Sequence, residues 1–330
     1  MSESHRAPTS AGVLDAARQL AGVAVRTPLI EHPALNARVG GRVLLKAECF
    51  QWAGSFKFRG AWNRISRLSP EEKRRGVVAY SSGNHAQGVA AAARLAGTHA
   101  LIVMPHDCPA VKVAGVRQHG GEVRFYDRWC ESREAIGAQI AAERGCVLVP
   151  PFDDPHVIEG QGTVGLELVD QAGGAHIDQL LCGASGGGLL AGIHLALEHH
   201  GLSPETYAVE PEGFDDHALS LRQGTITAHA PEPRPSICDA LMAPQPGNLT
   251  FSVNGPRLTD AVSVGDHEVR NAIRYAASTL KLIVEPGGAV SLAALLSGRV
   301  DAAGRITAVI VSGGNIDPAL LAEILREETP

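Results

Sequence analysis

The sequence predicts an α/β protein built as two open lobes, each a parallel sheet flanked by helices, with the active site in the cleft between them. Three observations carry this. Short apolar runs of strand length alternate with apolar patterns at helical spacing, a pace that means strand–helix–strand units and hence parallel sheets. Glycine, serine and asparagine gather where a strand pattern hands over to a helix pattern, the carboxyl edge at which such sheets bind ligands. The 330 residues, 45% hydrophobic and 19% charged, suffice for one large or two smaller domains with real cores.

Taken in order, residues 1–10 read as a loose tail and Ala11 to Leu20 as a first helix ending near Gly22. Arg26-Thr27-Pro28-Leu29 is an extended entry segment, because proline biases its predecessor away from the helix. Val43 to Glu48 is a strand, and Phe58, Ala61, Trp62, Ile65 and Leu68 then fall at helical spacing, with Ser55 expected as the N-cap. The strands Gly76 to Tyr80, His99 to Pro105, Glu122 to Tyr126 and Cys146 to Val149 are separated by helices at Ala86 to Ala96, Ala110 to His119 and Glu131 to Arg144. A second series begins near Pro150. Its strands are Ile177 to Cys182, Tyr207 to Glu210 and Thr307 to Val311; its helices include Gln161 to Gln171, Leu189 to His199, Asp266 to Leu280 and Pro318 to Glu327. The proline-rich stretch Ala228 to Gly255 is expected to be a long surface loop.

A formal charge of −6 and the absence of a long basic run argue against nucleic acid as a partner, and a small molecule is the better default. The six cysteines are scattered without a CxxC pair or zinc spacing and read as reduced thiols. Met1 to Ala11 is polar, without the apolar stretch of a signal peptide, and no later apolar run is long enough to span a bilayer, so no membrane association and a cytoplasmic address are expected.

Lys57, in Gly54-Ser55-Phe56-Lys57-Phe58-Arg59-Gly60-Ala61, stands at a strand-to-helix junction, where its amine can enter the ligand crevice and form a Schiff base; a solvated helix-start lysine is the alternative. Gly183 to Gly192, between a strand and a helix, reads as a phosphate cradle, since glycines let backbone amides converge on an anion at the positive helix end. The same stretch fits a dinucleotide fingerprint, Gly186-x-Gly188-x-x-Ala191 with Glu210 as the ribose acid, so a nicotinamide dehydrogenase is a rival. Ser81-Ser82-Gly83-Asn84-His85 offers hydroxyls, an amide and free N–H groups suited to a substrate carboxylate, or is an ordinary capped loop. Ser312-Gly313-Gly314-Asn315 is a third such junction, followed by the cap and first-turn pair Asp317-Pro318. Glu210, Asp215 and Asp216 are either hard-oxygen ligands for a divalent cation or simply solvated acids, and His194, His199 and His200 lack the spacing of a metal pair.

Together with Pro151-Phe152-Asp153-Asp154-Pro155 and Gly160-Gln161-Gly162-Thr163, these stretches closely resemble the threonine/serine dehydratase and serine racemase family of fold-type II pyridoxal-phosphate enzymes, in order from about Thr27 to Asn315. The resemblance makes the nicotinamide reading remote. It implies a large cofactor-binding domain from residues 1–75 and 151–330, a small substrate-side domain from residues 76–150, and a homodimer. By the same resemblance Lys57 is the Schiff-base lysine, Phe56 its ring-packing neighbour, and Asn84 the partner of the cofactor's phenolic oxygen. Ser185, Gly186, Gly187, Gly188 and Leu189 align with the phosphate loop, Ser312 faces the pyridine nitrogen, and Glu285 is an acid near the ring. Ser82 is the second catalytic residue, on the ring face opposite Lys57, while Ser81, Gly83 and His85 with Ser82 form the substrate loop. Glu210, the Phe214 carbonyl and Asp216 align with a site for Mg²⁺, Ca²⁺ or Mn²⁺.

The implied activity is β-elimination from a β-hydroxy amino acid, of the threonine/serine ammonia-lyase type, with elimination outrunning racemisation. Arg133 matches an arginine turned towards the active site; a guanidinium there binds a second carboxylate, making 3-hydroxyaspartate a substrate, whereas an exposed ion-paired helix arginine is the alternative. Serine racemase is the other alternative activity. Two departures stand out: Ser185 where the family shows glycine, and Asp239-Ala240 where it shows Asp-Gly, which adds a methyl near the ring edge. The chain ends soon after Asn315, so feedback inhibition by isoleucine through a C-terminal regulatory domain is not expected.

Overall fold

The computed structural model describes residues 6–230 and 235–327. Its strands are β1 (Leu29–Ile30), β2 (Arg42–Ala47), β3 (Val77–Tyr80), β4 (Ala100–Pro105), β5 (Glu122–Tyr126), β6 (Val147–Leu148), β7 (Gln179–Gly183), β8 (Glu205–Pro211), β9 (Asp260–Val264) and β10 (Ile306–Val311). They form two sheets, a six-stranded one ordered β1-β2-β10-β7-β8-β9 and a four-stranded one ordered β5-β4-β3-β6. All pairings are parallel except β1 with β2. The central strands β2, β7 and β10 are buried along nearly their whole length, as strands covered on both faces must be, and so read as continuous apolar runs rather than alternating ones.

Each sheet has its own core. Val43, Leu45, Leu181, Val209 and Val309 of the larger sheet pack with the helix Pro286–Leu296. Val77, Ala79, Ile102 and Met104 of the smaller sheet pack with the alanine-rich helix Asn84–Leu95 and with Phe58, Ala61 and Ile65 of the helix Lys57–Ile65. The Lys57 helix therefore comes after a strand of the large sheet but lies against the core of the small one.

Gly160-Gln161-Gly162-Thr163 finds its physical reason here. The helix Pro155–Gln171 crosses the helix Gly188–His199 so closely that a Cβ on Gly162 would lie 2.7 Å from the Gly192 oxygen, and one on Gly192 would lie 2.4 Å from the Gly162 nitrogen. Gln161 Oε1 accepts the Gly60 N–H at 3.1 Å, and Thr163 Oγ1 donates to the Gly160 carbonyl at 2.7 Å. The motif clamps the Lys57 helix to its neighbours and does no chemistry itself.

Two expectations are corrected. Ser55 does not cap its helix: it is held extended in a bridge to Gly313, and its buried hydroxyl has no hydrogen-bond partner among the described residues. Ala228 to Gly255 is not a surface loop, because it contains the helix Asn248–Asn254 and buries Cys238, Thr250, Val253 and Asn254. Residues 231–234 of that stretch lie outside the described residues. All six cysteines are free, and no helix of the described residues is long and apolar enough to cross a membrane.

Candidate active site

The sheet order assembles the site. Strands β2, β10 and β7 lie side by side and parallel, so the segments leaving their carboxyl ends are adjacent in space: two short 3₁₀ turns leading to Lys57, then Ser312, then the glycine loop. From the smaller sheet, β3 runs into Ser81–Gly83 and neighbouring β6 into Pro151 and Phe152. Between the two edges lies an open cleft. Every residue the sequence put forward as catalytic, cofactor-binding or substrate-binding lines it except Glu285, which sits one hydrogen bond behind Asn84.

Lys57 Nζ donates to the Pro151 carbonyl at 2.8 Å and lies 5.1 Å from the centre of the Phe56 ring. Burial lowers its pKa from 10.5 to about 8, so a useful fraction of the amine is neutral near physiological pH. His85 is buried; its Nε2 donates to the Val149 carbonyl at 2.9 Å, and burial, reinforced by Lys57, pushes its pKa down to about 3. It is a neutral wall of the site. Asn84 Nδ2 donates to Glu285 Oε1 at 2.5 Å, while its Oδ1 accepts from Asn315 Nδ2 at 2.8 Å, so the amide is locked in one orientation. Burial raises Glu285 to about 7, only partly countered by the Asn84 bond.

The glycine loop fits a phosphate. Gly187 adopts φ +86°, open to glycine but costly for other residues, and a Cβ on Gly186 would sit 2.2 Å from the Phe152 ring. The first helical bond runs from Ala191 N to the Gly187 carbonyl at 2.9 Å, so the amides of residues 188–190 have no carbonyl within the helix to reach. Those donors and the positive helix end favour an anion. Ser185 Oγ accepts the Ala243 N–H at 3.2 Å, tying the loop to the segment that carries Ala240. On the opposite wall, a Cβ on Gly83 would meet nothing within 4 Å, which leaves the cleft clear for a ring between the two loops. The dinucleotide reading fails on Glu210: instead of facing a ribose, its carboxylate is buried and accepts from the His217 and Ala218 amides.

Pro151-Phe152-Asp153-Asp154-Pro155 is a mechanical hub. Pro151 holds the lysine, and Phe152 packs on Gly186 and Gly188. Asp153 accepts from the amides of Asn248 and Leu249 at 3.1 and 2.8 Å, and Asp154 caps the helix Pro155–Gln171 through the Val157 amide at 2.9 Å. Arg133 pairs with Glu134 at 2.8 Å and lies 5.7 Å over the Tyr80 ring, and it also lines the cleft.

Away from the cleft, ligating atoms of Glu210, Asp216 and His217 lie within 4.8 Å of one another, all three buried. Both Asp216 oxygens are buried without a hydrogen-bond partner among the described residues, and burial together with the Glu210 charge raises its pKa. Phe214 is buried two residues earlier, with its ring edge on His229. His217 went unnoticed in the sequence, where its only signal was adjacency to Asp216. The role of Asp153 within its motif and the helix Asn248–Asn254 also went unnoticed, because they act on backbone groups of the site.

The comparisons with known proteins agree with this geometry. Residues 20–313 match the family model described as "Pyridoxal-phosphate dependent enzyme". An L-threo-3-hydroxyaspartate ammonia-lyase from a Pseudomonas species is 42% identical over 95% of this chain and 97% of its own. The catabolic L-threonine dehydratase of Escherichia coli is 36% identical over 94% of each chain. The solved structure of maize serine racemase superposes with a TM-score of 0.91 at 39% identity, covering 96% of this chain and 97% of that one. A lysine held near neutrality, a glycine cradle across from it and this full-length kinship lead to one statement: the chain belongs to the pyridoxal-phosphate dependent enzyme family.

Proposed function

We propose that this enzyme is an ammonia-lyase that eliminates the β-hydroxyl of a β-hydroxy amino acid, L-threonine or L-serine, to give a 2-oxo acid and ammonia. The reading rests on one cleft in which the Lys57 amine, held near neutrality, shares walls with the glycine cradle and the Ser81–His85 loop. Lys57 is the residue that would bond the cofactor aldehyde, with the loop Ser185–Leu189 on its phosphate and Asn84 and Ser312 at its ring. When bound, pyridoxal phosphate stabilises the electron pair left on Cα as the α-proton departs.

The chain's own groups do the rest. The Ser82 amide and the Ser81 and Ser82 hydroxyls bind the substrate carboxylate, since the Ser81 and Gly83 amides are spent on the Val103 carbonyl and Ser81 Oγ, and neutral His85, its one N–H on Val149, walls the loop without offering a competing charge. Lys57 takes the α-proton of an L-substrate, and Ser82 works from the other face. Elimination needs only one base, whereas racemisation needs both in turn. Phe152 on Gly186 and Gly188 closes the cleft's floor with an apolar ring and excludes water.

A second reading is favoured by Arg133, a guanidinium lining the cleft, and by the similarity to a hydroxyaspartate ammonia-lyase: the substrate is 3-hydroxyaspartate, its second carboxylate taken by Arg133 and its product oxaloacetate. We also infer that Glu210, Asp216 and the Phe214 carbonyl hold Mg²⁺, Ca²⁺ or Mn²⁺, supported by the two buried Asp216 oxygens, which have no hydrogen-bond partner among the described residues, with His217 beside them. A cytoplasmic homodimer is the matching assembly, supported by six free cysteines and by the exposed apolar side chains Phe50, Trp52 and Ile283.

The test is a keto-acid and ammonia assay on L-threonine, L-serine and the 3-hydroxyaspartate isomers, with chiral chromatography of the L-serine reaction. Keto acid outpacing D-serine supports the proposal, and D-serine accumulating faster than pyruvate overturns it.

A further inference from the structure

The glycine loop does not hold its own shape. A loop whose amides are to face an anion must turn its carbonyls the other way, and glycine, with no side chain and broad backbone freedom, does not enforce that choice. Here the carbonyls are held from behind by the helix Asn248–Asn254. The Gly186 oxygen accepts from Thr250 Oγ1 at 2.5 Å and from the Gly247 amide at 3.2 Å. The Gly187 oxygen accepts from Asn254 Nδ2 at 3.1 Å as well as from its helical partner Ala191 at 2.9 Å.

The support is itself fixed. Asn254 Oδ1 accepts from His194 Nδ1 at 3.0 Å, so the amide can present only its NH₂ to Gly187. Thr250, Asn254 and His194 are all buried, so water does not substitute for these donors. A Cβ on Gly187 would come within 2.8 Å of Asn254 Nδ2 and 3.1 Å of Thr250 Oγ1, which shows how closely the helix is seated.

We propose that Thr250 and Asn254, with His194 orienting Asn254, are positioning residues for the cofactor phosphate: they hold the Gly186 and Gly187 carbonyls back and thereby preset the loop amides for the anion. The inference rests on the assignment of this loop to the phosphate. It places part of the cofactor's affinity in side chains that never touch the cofactor.

The phosphate is what the arrangement should act on, so the informative quantity is the ratio of affinities for pyridoxal and pyridoxal 5'-phosphate. The full-length enzyme, stripped with hydroxylamine, is titrated with each by absorbance, for wild type, Asn254→Ala and the near-isosteric Thr250→Val. Expected is an approximately 10-fold weakening for pyridoxal 5'-phosphate in either variant, with pyridoxal changed less than about 2-fold. A shifted ³¹P resonance of the loaded variants should accompany it. Equal weakening for both ligands, or none, overturns the proposal and leaves these residues a merely structural role. Should Asn254→Ala fail to fold, Thr250→Val alone decides by the same ratio. If wild type itself fails to prefer the phosphorylated ligand, the fault lies with the phosphate assignment and not with its support.

Discussion

The perturbed amine of Lys57 has a measurable consequence in the pH dependence of cofactor capture. Only the neutral amine attacks an aldehyde, and burial without an acidic partner lowers the pKa from 10.5 to about 8. At pH 7 about a tenth of such a lysine is neutral, against roughly 0.03% for an ordinary one, a gain of about 300-fold. Between pH 7 and 9 the capture rate should rise about tenfold and then level off, whereas an unshifted lysine would gain about 100-fold and keep rising. Of the titratable neighbours, His85, pushed down to about 3 by burial, stays neutral throughout, and Glu285, raised to about 7 by burial, titrates beside Lys57, so its share is read from Glu285→Gln. The assay is stopped-flow absorbance of stripped full-length enzyme mixed with pyridoxal 5'-phosphate, corrected for the aldehyde's own titration, which is followed by absorbance without enzyme. Lys57→Ala should show no capture. A rate that still climbs about eightfold between pH 9 and 10 refutes the argument, because the cleft would then leave Lys57 an ordinary solvated amine.

Four further outcomes are expected. Arg133→Ala should lower kcat/KM for 3-hydroxyaspartate by about 10- to 100-fold, the size of a lost charged hydrogen bond, and leave threonine within about twofold; uniform loss would return Arg133 to its ion pair with Glu134. EDTA should lower the thermal midpoint of wild type and divalent cation restore it, while Asp216→Ala responds to neither; a variant that still responds removes Asp216 from the site. Gly288→Ala puts a Cβ 2.3 Å from the Gly313 oxygen, beside Ser312, and should cost about 1–3 kcal/mol in urea unfolding. Ser82→Ala should spare most L-substrate elimination while abolishing racemisation and turnover of D-substrates, checked by chiral chromatography beside the keto-acid assay.

The residues that line the cleft were legible because their chemistry is local. Lys57 after a strand, a run of glycines before a helix, and Ser-Ser-Gly-Asn at a third junction each state their purpose within a few positions. Strand spacing was legible for the same reason, and Glu122 to Tyr126 needed no adjustment of its ends. What escaped depends on long-range partners. Asn254 looks like any helix-end asparagine until the fold brings it to Gly187, 67 residues away. Asp153 looks like a solvated acid until it meets the amides of Asn248 and Leu249. Proline density made Ala228 to Gly255 look external, yet proline reports on backbone turns and not on depth, and buried Cys238 and Thr250 show the difference. Ser55 failed as a cap because its backbone pairs with Gly313, a contact from the far end of the chain.

Two cations two residues apart on one helix show how the fold chooses between holding charge and releasing it. Arg59 is fully buried yet keeps its charge, because Glu48 meets its Nε at 2.8 Å and Glu167 its Nη1 at 2.6 Å, and the attraction of the two acids more than offsets the loss of solvent. Among the described residues Lys57 meets the Pro151 carbonyl and a ring face but no acid, so burial acts on it uncompensated. The contrast is a matter of placement: Arg59 points to the helix Pro155–Gln171, where Glu167 and Thr163 wait, and Lys57 points to the cleft. Lys46, one strand back, borrows Glu167 at 2.6 Å and is buried with a partner, so that carboxylate serves two cations at once. An acid moved to the Lys57 side would hold the ammonium protonated and remove its nucleophilicity. The acids that pair with Arg59 and Lys46 therefore stand behind the helix, where they fix its position, and the Lys57 amine faces the cleft without one.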